Sequence, residues 1–171
     1  AAQINNGSSD ACGIASLSVS PNSFTCAGVG PNPVTLTVTD INGNVSTCSA
    51  TVTVVDNVDP IALCQNISID LDATGNASIN ATQIDNGSSD ACGIASLSVS
   101  PSAFTCANVG ANSVTLTVTD VNGNVSTCTS IVTVVDDTPP VAVCQNISIN
   151  LNSTGNASIT VIAVSKATCS T

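Results

Sequence analysis

The sequence predicts an all-β chain of tandem β-sandwich modules, and three observations predict it. The segment Gln3-Ile4-Asn5-Asn6-Gly7-Ser8-Ser9-Asp10-Ala11-Cys12-Gly13 returns at Gln83-Ile84-Asp85-Asn86-Gly87-Ser88-Ser89-Asp90-Ala91-Cys92-Gly93, an offset of 80 residues. Residues 3–80 and 83–160 are identical at 59 of 78 positions, and a third copy opens at Val141 and fades after Thr160. The unit of organisation is therefore the module. Apolar and polar residues alternate with a period of two through much of each copy, and eight of the nine cysteines fall in register, four to a repeat.

In the second copy the strands can be read in order. Ile67, Ile69 and Leu71 alternate with Ser68 and Asp70, which makes a first strand with one apolar face. Leu97 and Val99 alternate with Ser96, Ser98 and Ser100, and Val114, Leu116 and Val118 alternate with Thr115, Thr117 and Thr119. Cys128, Val132 and Val134 share one face of the last strand. β-Branched residues dominate, and no useful window carries the i, i+3, i+4, i+7 pattern of a helix. Ala73-Thr74-Gly75-Asn76, Asn86-Gly87-Ser88-Ser89, Asn108-Val109-Gly110-Ala111 and Asn122-Gly123-Asn124 supply turn residues that tolerate positive φ. The last joins two strongly patterned strands and reads as a hairpin turn capped by the Asp120 side chain. Its Asp-x-Asn-Gly-Asn start is similar to that of an EF-hand loop, but Thr51 and Ile131 stand where that loop needs a bidentate Glu. Several short strands per 80 residues, with a turn every dozen or so, indicate an immunoglobulin-like sandwich.

Module boundaries fall at Asp56-Asn57-Val58-Asp59-Pro60 and Asp136-Asp137-Thr138-Pro139-Pro140. Residues 1–56 then form the C-terminal part of a first repeat, 57–136 a complete repeat, and 137–171 the N-terminal part of a third with a divergent tail. The chain reads as a window cut from a longer protein. Short, proline-stiffened linkers predict modules stacked end to end as a rod, at roughly 30 to 40 Å per module.

A module this small has a marginal core and needs a staple. Cys12, Cys26, Cys48, Cys64, Cys92, Cys106, Cys128 and Cys144 supply it: with no histidine and no CxxC spacing, they point to disulfides in an oxidising compartment rather than to zinc. Four cysteines allow three pairings. We expect Cys92 with Cys106, closing a local excursion, and Cys64 with Cys128, tying the first strand to the last; loop entropy credits these with about 3 and about 4 kcal/mol. By register Cys12 then pairs with Cys26, Cys48 needs a partner upstream of Ala1, and Cys144 is left with Cys169 or with a residue beyond the sequence.

The 11 acidic residues are all Asp and face a single cation, Lys166, so a net charge of −10 argues against binding nucleic acid or inserting into a membrane. The chain has no His, Glu, Arg, Tyr or Trp, which removes the usual nucleophile and acid–base constellations and argues against an enzyme. Calcium is the cofactor with the most support. Asp56 and Asp59 at one junction, and Asp136 and Asp137 at the other, are hard oxygen ligands, although solvated linker acids would look the same. Phe24 and Phe104 each sit two residues before a cysteine and read as core beside a disulfide. The sequons at Asn66, Asn76, Asn86, Asn124 and Asn146 read as structural asparagines in a chain rich in Asn, Ser and Thr.

The run Val114-Thr115-Leu116-Thr117-Val118-Thr119-Asp120-Val121-Asn122-Gly123-Asn124-Val125-Ser126-Thr127-Cys128, followed by Val132-Thr133-Val134-Val135-Asp136 and the Pro-x-x-x-Cys of Pro140 to Cys144, resembles the hyalin repeat. In particular it is similar to the version found in giant Bacteroidetes cell-surface adhesins of the gliding-motility type. The resemblance implies an immunoglobulin-like fold, an extracellular, cell-surface location and a role in adhesion. On this basis we expect a spacer or stalk repeat that gives reach and mechanical strength. Its partners are neighbouring modules of the same chain, and an external surface or polysaccharide is met through other domains. The alternative expectation is a repeat subunit of an extracellular filament or coat, in which like chains associate.

Overall fold

The computed structural model describes residues 3–160, and within them it is an all-β protein. The first copy contributes β1 (Ile14–Ser20), β2 (Gly30–Asp40) and β3 (Val45–Val54), an antiparallel sheet in the order β1-β2-β3. The second copy contributes β4 (Ile67–Asp70), β5 (Asn76–Ser78), α1 (Ala81–Ile84), β6 (Ile94–Ser100), β7 (Ala103–Thr105), β8 (Gly110–Asp120) and β9 (Val125–Val135). Four of these form a sheet in the order β4-β9-β8-β6, and β5 pairs with β7. The described chain divides into two compact units. One holds residues 3–61 with Ser88–Ser96 and Val118–Ser126; the other holds Ala62–Gly87, Leu97–Thr117 and 127–160.

The period-two pattern is realised as burial. Val114, Leu116 and Val118 on β8 and Val132 and Val134 on β9 are buried, while the threonines between Val114 and Val118 are half-buried. β4 joins β9 in parallel, Ile67 opposite Val132 through Asp70 opposite Val135. Its entry is fixed by Asn66, whose Oδ1 accepts from the Ile131 N–H (2.8 Å) and the Ser130 hydroxyl (3.2 Å). The single Ser130 hydroxyl proton is shared with the Gln65 carbonyl, so a buried hydroxyl is satisfied by the incoming strand.

The short helix α1 lies outside the sequence expectation. Asn80 and Gln83 form a reciprocal capping box: the Asn80 side chain accepts from the Gln83 N–H (3.1 Å), and the Gln83 side chain accepts from the Asn80 N–H (2.8 Å). The turn drives Ile84 into full burial.

The two copies form an internal comparison. Ala103-Phe104-Thr105 is strand β7 because β5 lies beside it, and Phe104 is buried. Ser23-Phe24-Thr25, nearly the same sequence, is not a strand and leaves Phe24 half-buried. Residues 137–160 contain no strand and are exposed throughout. Residues 161–171 of the expected divergent tail, Cys169 and Lys166 among them, lie outside the described residues.

Phe104→Ala removes a fully packed aromatic and is expected to cost about 3 to 5 kcal/mol, whereas Phe24→Ala costs less, because its side chain is already half in water. Urea denaturation of the two variants, followed by circular dichroism, checks this order.

Candidate functional site

The chemistry of this chain collects where the first copy meets the second in sequence. Asp56 follows β3, and its Oδ1 accepts from the Val58 N–H (3.1 Å) while its main-chain carbonyl accepts from Asn124 Nδ2 (3.2 Å). Ile61 and Ser89 exchange backbone hydrogen bonds of 2.7 and 3.0 Å. Asp90 Oδ1 accepts from the Cys92 and Gly93 N–H groups (2.7 and 3.0 Å), folding a tight turn that Gly93 permits with φ +109°. All these residues belong to the first compact unit.

Cys92 is held in this turn and is disulfide-bonded to Cys26 of the first copy, with a Cα–Cα distance of 5.1 Å. This replaces two expected pairings, Cys92 with Cys106 and Cys12 with Cys26. The reason is the length of the strands between the cysteines. Cys92 precedes β6 beside the β8–β9 turn, where Val121 N–H donates to the Gly93 carbonyl. Cys106 lies just before β8 begins, its sulfur 3.6 Å from the Gly75 carbonyl oxygen. The 11 residues of β8 separate those two ends, roughly 35 Å at strand rise, against the 4.4 to 6.8 Å that a disulfide spans. Cys106 is itself disulfide-bonded. Cys64 pairs with Cys128 as expected, at a Cα–Cα distance of 6.0 Å. Cys12, Cys48 and Cys144 are free, exposed thiols, so these three are not bridged in the chain itself.

Of the linker acids expected as two pairs, Asp56 with Asp59 at one junction and Asp136 with Asp137 at the other, Asp56 enters a metal-type cluster of three groups among the described residues. Asp59, Asp136 and Asp137 are exposed, and the metal-type cluster found among the described residues is Asp56 with Asp90 and Cys92, their ligand atoms all within 4.8 Å of one another. Cys92 is no thiolate donor, because its sulfur is in a disulfide. Two carboxylates remain, and Asp56 Oδ2 is buried without a hydrogen-bond partner. Asp90 was missed in the sequence because it lies 34 residues from Asp56 in the chain.

The hairpin turn after β8 is organised by a buried carboxylate. Asp120 Oδ1 accepts from the Asn122 and Asn124 N–H groups (2.9 and 2.8 Å), and Oδ2 accepts from Asn124 Nδ2 (2.7 Å). Burial pushes the Asp120 carboxyl up, but the Asn124 side chain and the backbone N–H groups of Asn124, Asn122 and Gly123 outweigh it and hold it below the ordinary carboxylate value. In the first copy Asp40 is lowered by the same arrangement, led by the Asn44 side chain. Asp72 is lowered chiefly by the Thr74 hydroxyl. Of the sequon asparagines, Asn76 and Asn124 serve these turns and Asn66 fixes the entry of β4, each through side-chain hydrogen bonds.

No protein-family model matches the chain, and a search of curated proteins returns no match. What the fold and the cysteines define is a class: an all-β repeat protein stapled by disulfides, one of which joins one repeat copy to the next. Disulfides persist in oxidising compartments. Among the described residues no helix is long and apolar enough to cross a membrane.

Two outcomes are expected. Because the Asp120 carboxyl is lowered in the folded chain, the stability it contributes is complete above the ordinary carboxylate range, near 4, and is lost as pH falls through the lower folded value. Urea midpoints should therefore be flat from about pH 7 to 5 and fall below about pH 4, with Asp120→Asn lowering the neutral-pH midpoint and flattening the acid limb. The double variant Cys64→Ser, Cys128→Ser is expected to lose about 2 to 5 kcal/mol in the same assay.

Proposed function

We propose that the chain is a structural spacer, a stalk repeat of a very long secreted cell-surface adhesin of the hyalin-repeat kind. It would supply reach and mechanical strength for attachment or gliding. Its modules are immunoglobulin-like and stack as a rod, and adhesive specificity resides in other domains. The observation that carries this reading is the Cys26–Cys92 bond, which links consecutive repeat copies by a second covalent path besides the backbone. A chain built to transmit tension gains from such a link. A dearth of Lys and Arg adds resistance to proteases that cut at basic residues.

Calcium enters this reading as a stiffener. A hard cation would be held by Asp56 and Asp90, and the unpartnered Asp56 Oδ2 supports that placement. Its check is the melting curve of the chain with calcium or with chelator. A midpoint raised by calcium and restored to the chelator value by Asp90→Asn supports the cation, and superimposed curves remove it.

The second reading, a filament or coat of like chains, is favoured by the near-identity of the copies, which offers like surfaces to a regular assembly. Electron microscopy of producing cells with an antibody to the repeat separates the two. Thin fibres labelled along their length support the stalk, and a thick regular filament or sheet supports the assembled coat.

The mechanical part has its own measurement. The overlapping bonds Cys26–Cys92 and Cys64–Cys128 have sequence separations of 66 and 64 residues. Pulling a single chain by its ends should therefore release at least roughly 200 Å more contour length after reduction than before, at about 3.3 Å per residue. Equal lengths before and after reduction would overturn this.

A further inference from the structure

The chain carries four Asn-Gly pairs: Asn6-Gly7, Asn42-Gly43, Asn86-Gly87 and Asn122-Gly123. An asparagine in such a pair can lose its side-chain amide, because the next main-chain nitrogen can attack the side-chain carbonyl carbon and glycine has no Cβ to block the approach. The attack needs a loose asparagine side chain, room at the glycine and a base to take the N–H proton. Folding decides which pair has all three.

Asn86-Gly87 follows α1, and the backbone leading into it is fixed. Gln65 N–H donates to the Ile84 carbonyl (2.9 Å), Cys64 and Asp85 form a β-bridge, and Asn86 N–H donates to the Leu63 carbonyl (2.9 Å). The Asn86 side chain, by contrast, is exposed and makes no hydrogen bond among the described residues. Gly87 has φ +86°, and open space surrounds the place where a Cβ would stand. Its N–H donates to Asp85 Oδ2 (3.4 Å), so a carboxylate already faces the proton that must leave. The hairpin pairs differ. Asn42 and Asn122 are exposed too, but the Gly43 and Gly123 N–H groups donate to the Asp40 and Asp120 main-chain carbonyls (3.2 and 3.4 Å). Each of those turns is closed by the Asp N–H donating to the carbonyl of Asn44 or Asn124 (3.0 Å in both). The Asn44 side chain leads in holding the Asp40 carboxyl below its ordinary value; at Asp120 burial raises the carboxyl, but the Asn124 side chain and the turn N–H groups outweigh it. Both are thereby weaker bases. At Asn6-Gly7 the residue in place of Asp85 is Asn5, a neutral amide.

We propose that Asn86 is a self-modification site, at which Asp85 is the base for loss of the side-chain amide to give aspartate and isoaspartate. Gly87 N attacks Asn86 Cγ as its proton passes to Asp85 Oδ2. From Asp85 that proton reaches the amide nitrogen, which leaves as ammonia, so the carboxylate is restored and Asn86 and Gly87 share a succinimide ring. Water then adds to either ring carbonyl. Opening at the side-chain carbonyl gives aspartate, and opening at the main-chain carbonyl leaves the chain running through the side chain as isoaspartate. The net reaction takes up one water and releases one ammonia, with no electron transferred. Either product adds a carboxylate beside Asp85 to a chain of net charge −10. Isoaspartate also adds a methylene to the main chain directly after the Cys64–Asp85 bridge. Because the step is irreversible, the fraction converted records the age of the chain. This inference rests on the local geometry of the loop and not on the adhesin reading.

The test incubates the full, oxidised chain at neutral pH over days, in buffer and in denaturing urea. Each Asn-Gly pair is then read by mass spectrometry after reduction and proteolysis on the N-terminal side of Asp. That cleavage also separates the products, since aspartate at position 86 creates a new cut and isoaspartate does not. In the folded chain Asn86 is expected to convert at least about tenfold faster than Asn42 and Asn122, and urea removes most of the difference. Asp85→Asn takes away the base but keeps an oxygen that can accept within the turn, as Asn5 Oδ1 does from the Ser8 N–H (3.0 Å) in the first copy. It is expected to slow Asn86 to the pace of the hairpin pairs in the folded chain and to change nothing in urea. The proposal is overturned by Asn86 converting no faster than Asn42 and Asn122 in the folded chain, or by a rate at Asn86 that rises in urea. It is equally overturned by an Asp85→Asn chain that keeps the unaltered circular dichroism spectrum and converts Asn86 at the unaltered rate.

Discussion

The buried face of the second copy depends on the parallel pairing of β4 on β9, pinned by Cys64–Cys128. A sheet edge exposes unpaired N–H and C=O groups, and its apolar face stays partly wet until another strand covers it. When β4 arrives, the Asn66 and Ser130 hydrogen bonds close and Leu71 is buried, with β5 following to cover Phe104. Among the described residues no such strand lies against β3, and Val52, Val54 and Phe24 are half-exposed despite near-identical sequence. The same residues reach different burial, so the difference is one of partners and not of propensity.

The disulfides divide between two tasks. Cys64–Cys128 closes a single repeat, fastening its first strand to its last, while Cys26–Cys92 joins one copy to the next. Because the two loops overlap in sequence, neither copy can be drawn out fully while both bonds hold. In the junction turn Asp90 orients the Cys92 backbone, and Asn124 connects the hairpin of one copy to the Asp56 carbonyl of the other. Chemistry that in many folds would serve a ligand here serves continuity between repeats.

Much of the architecture was legible. The alternation through Val114, Leu116 and Val118 and through Val132 and Val134 became the buried face of β8 and β9, since a strand with one covered face must sort its side chains by parity. The Asp120 turn was legible because an Asp with Asn-Gly-Asn starting two residues on accepts from the backbone N–H groups of its own turn. The helix α1 was overlooked, although Asn80 and Gln83 carry a capping signal, because four residues are too few to show a period. The gathering of Asp56 with Asp90, in place of Asp59, depends on where two distant turns lie, and no local spacing encodes that.

By itself the sequence determined the all-β class, the 80-residue period, its hairpins and the register of its cysteines. These follow from residue chemistry and from contacts between near neighbours in the chain. Only the tertiary structure decided which cysteines meet. Strand length carries Cys92 and Cys106 to opposite ends of their sheet and sets Cys92 against Cys26 of the preceding copy. A disulfide forms on distance in space, and once strands longer than the bond's reach intervene, nearness in sequence no longer indicates it.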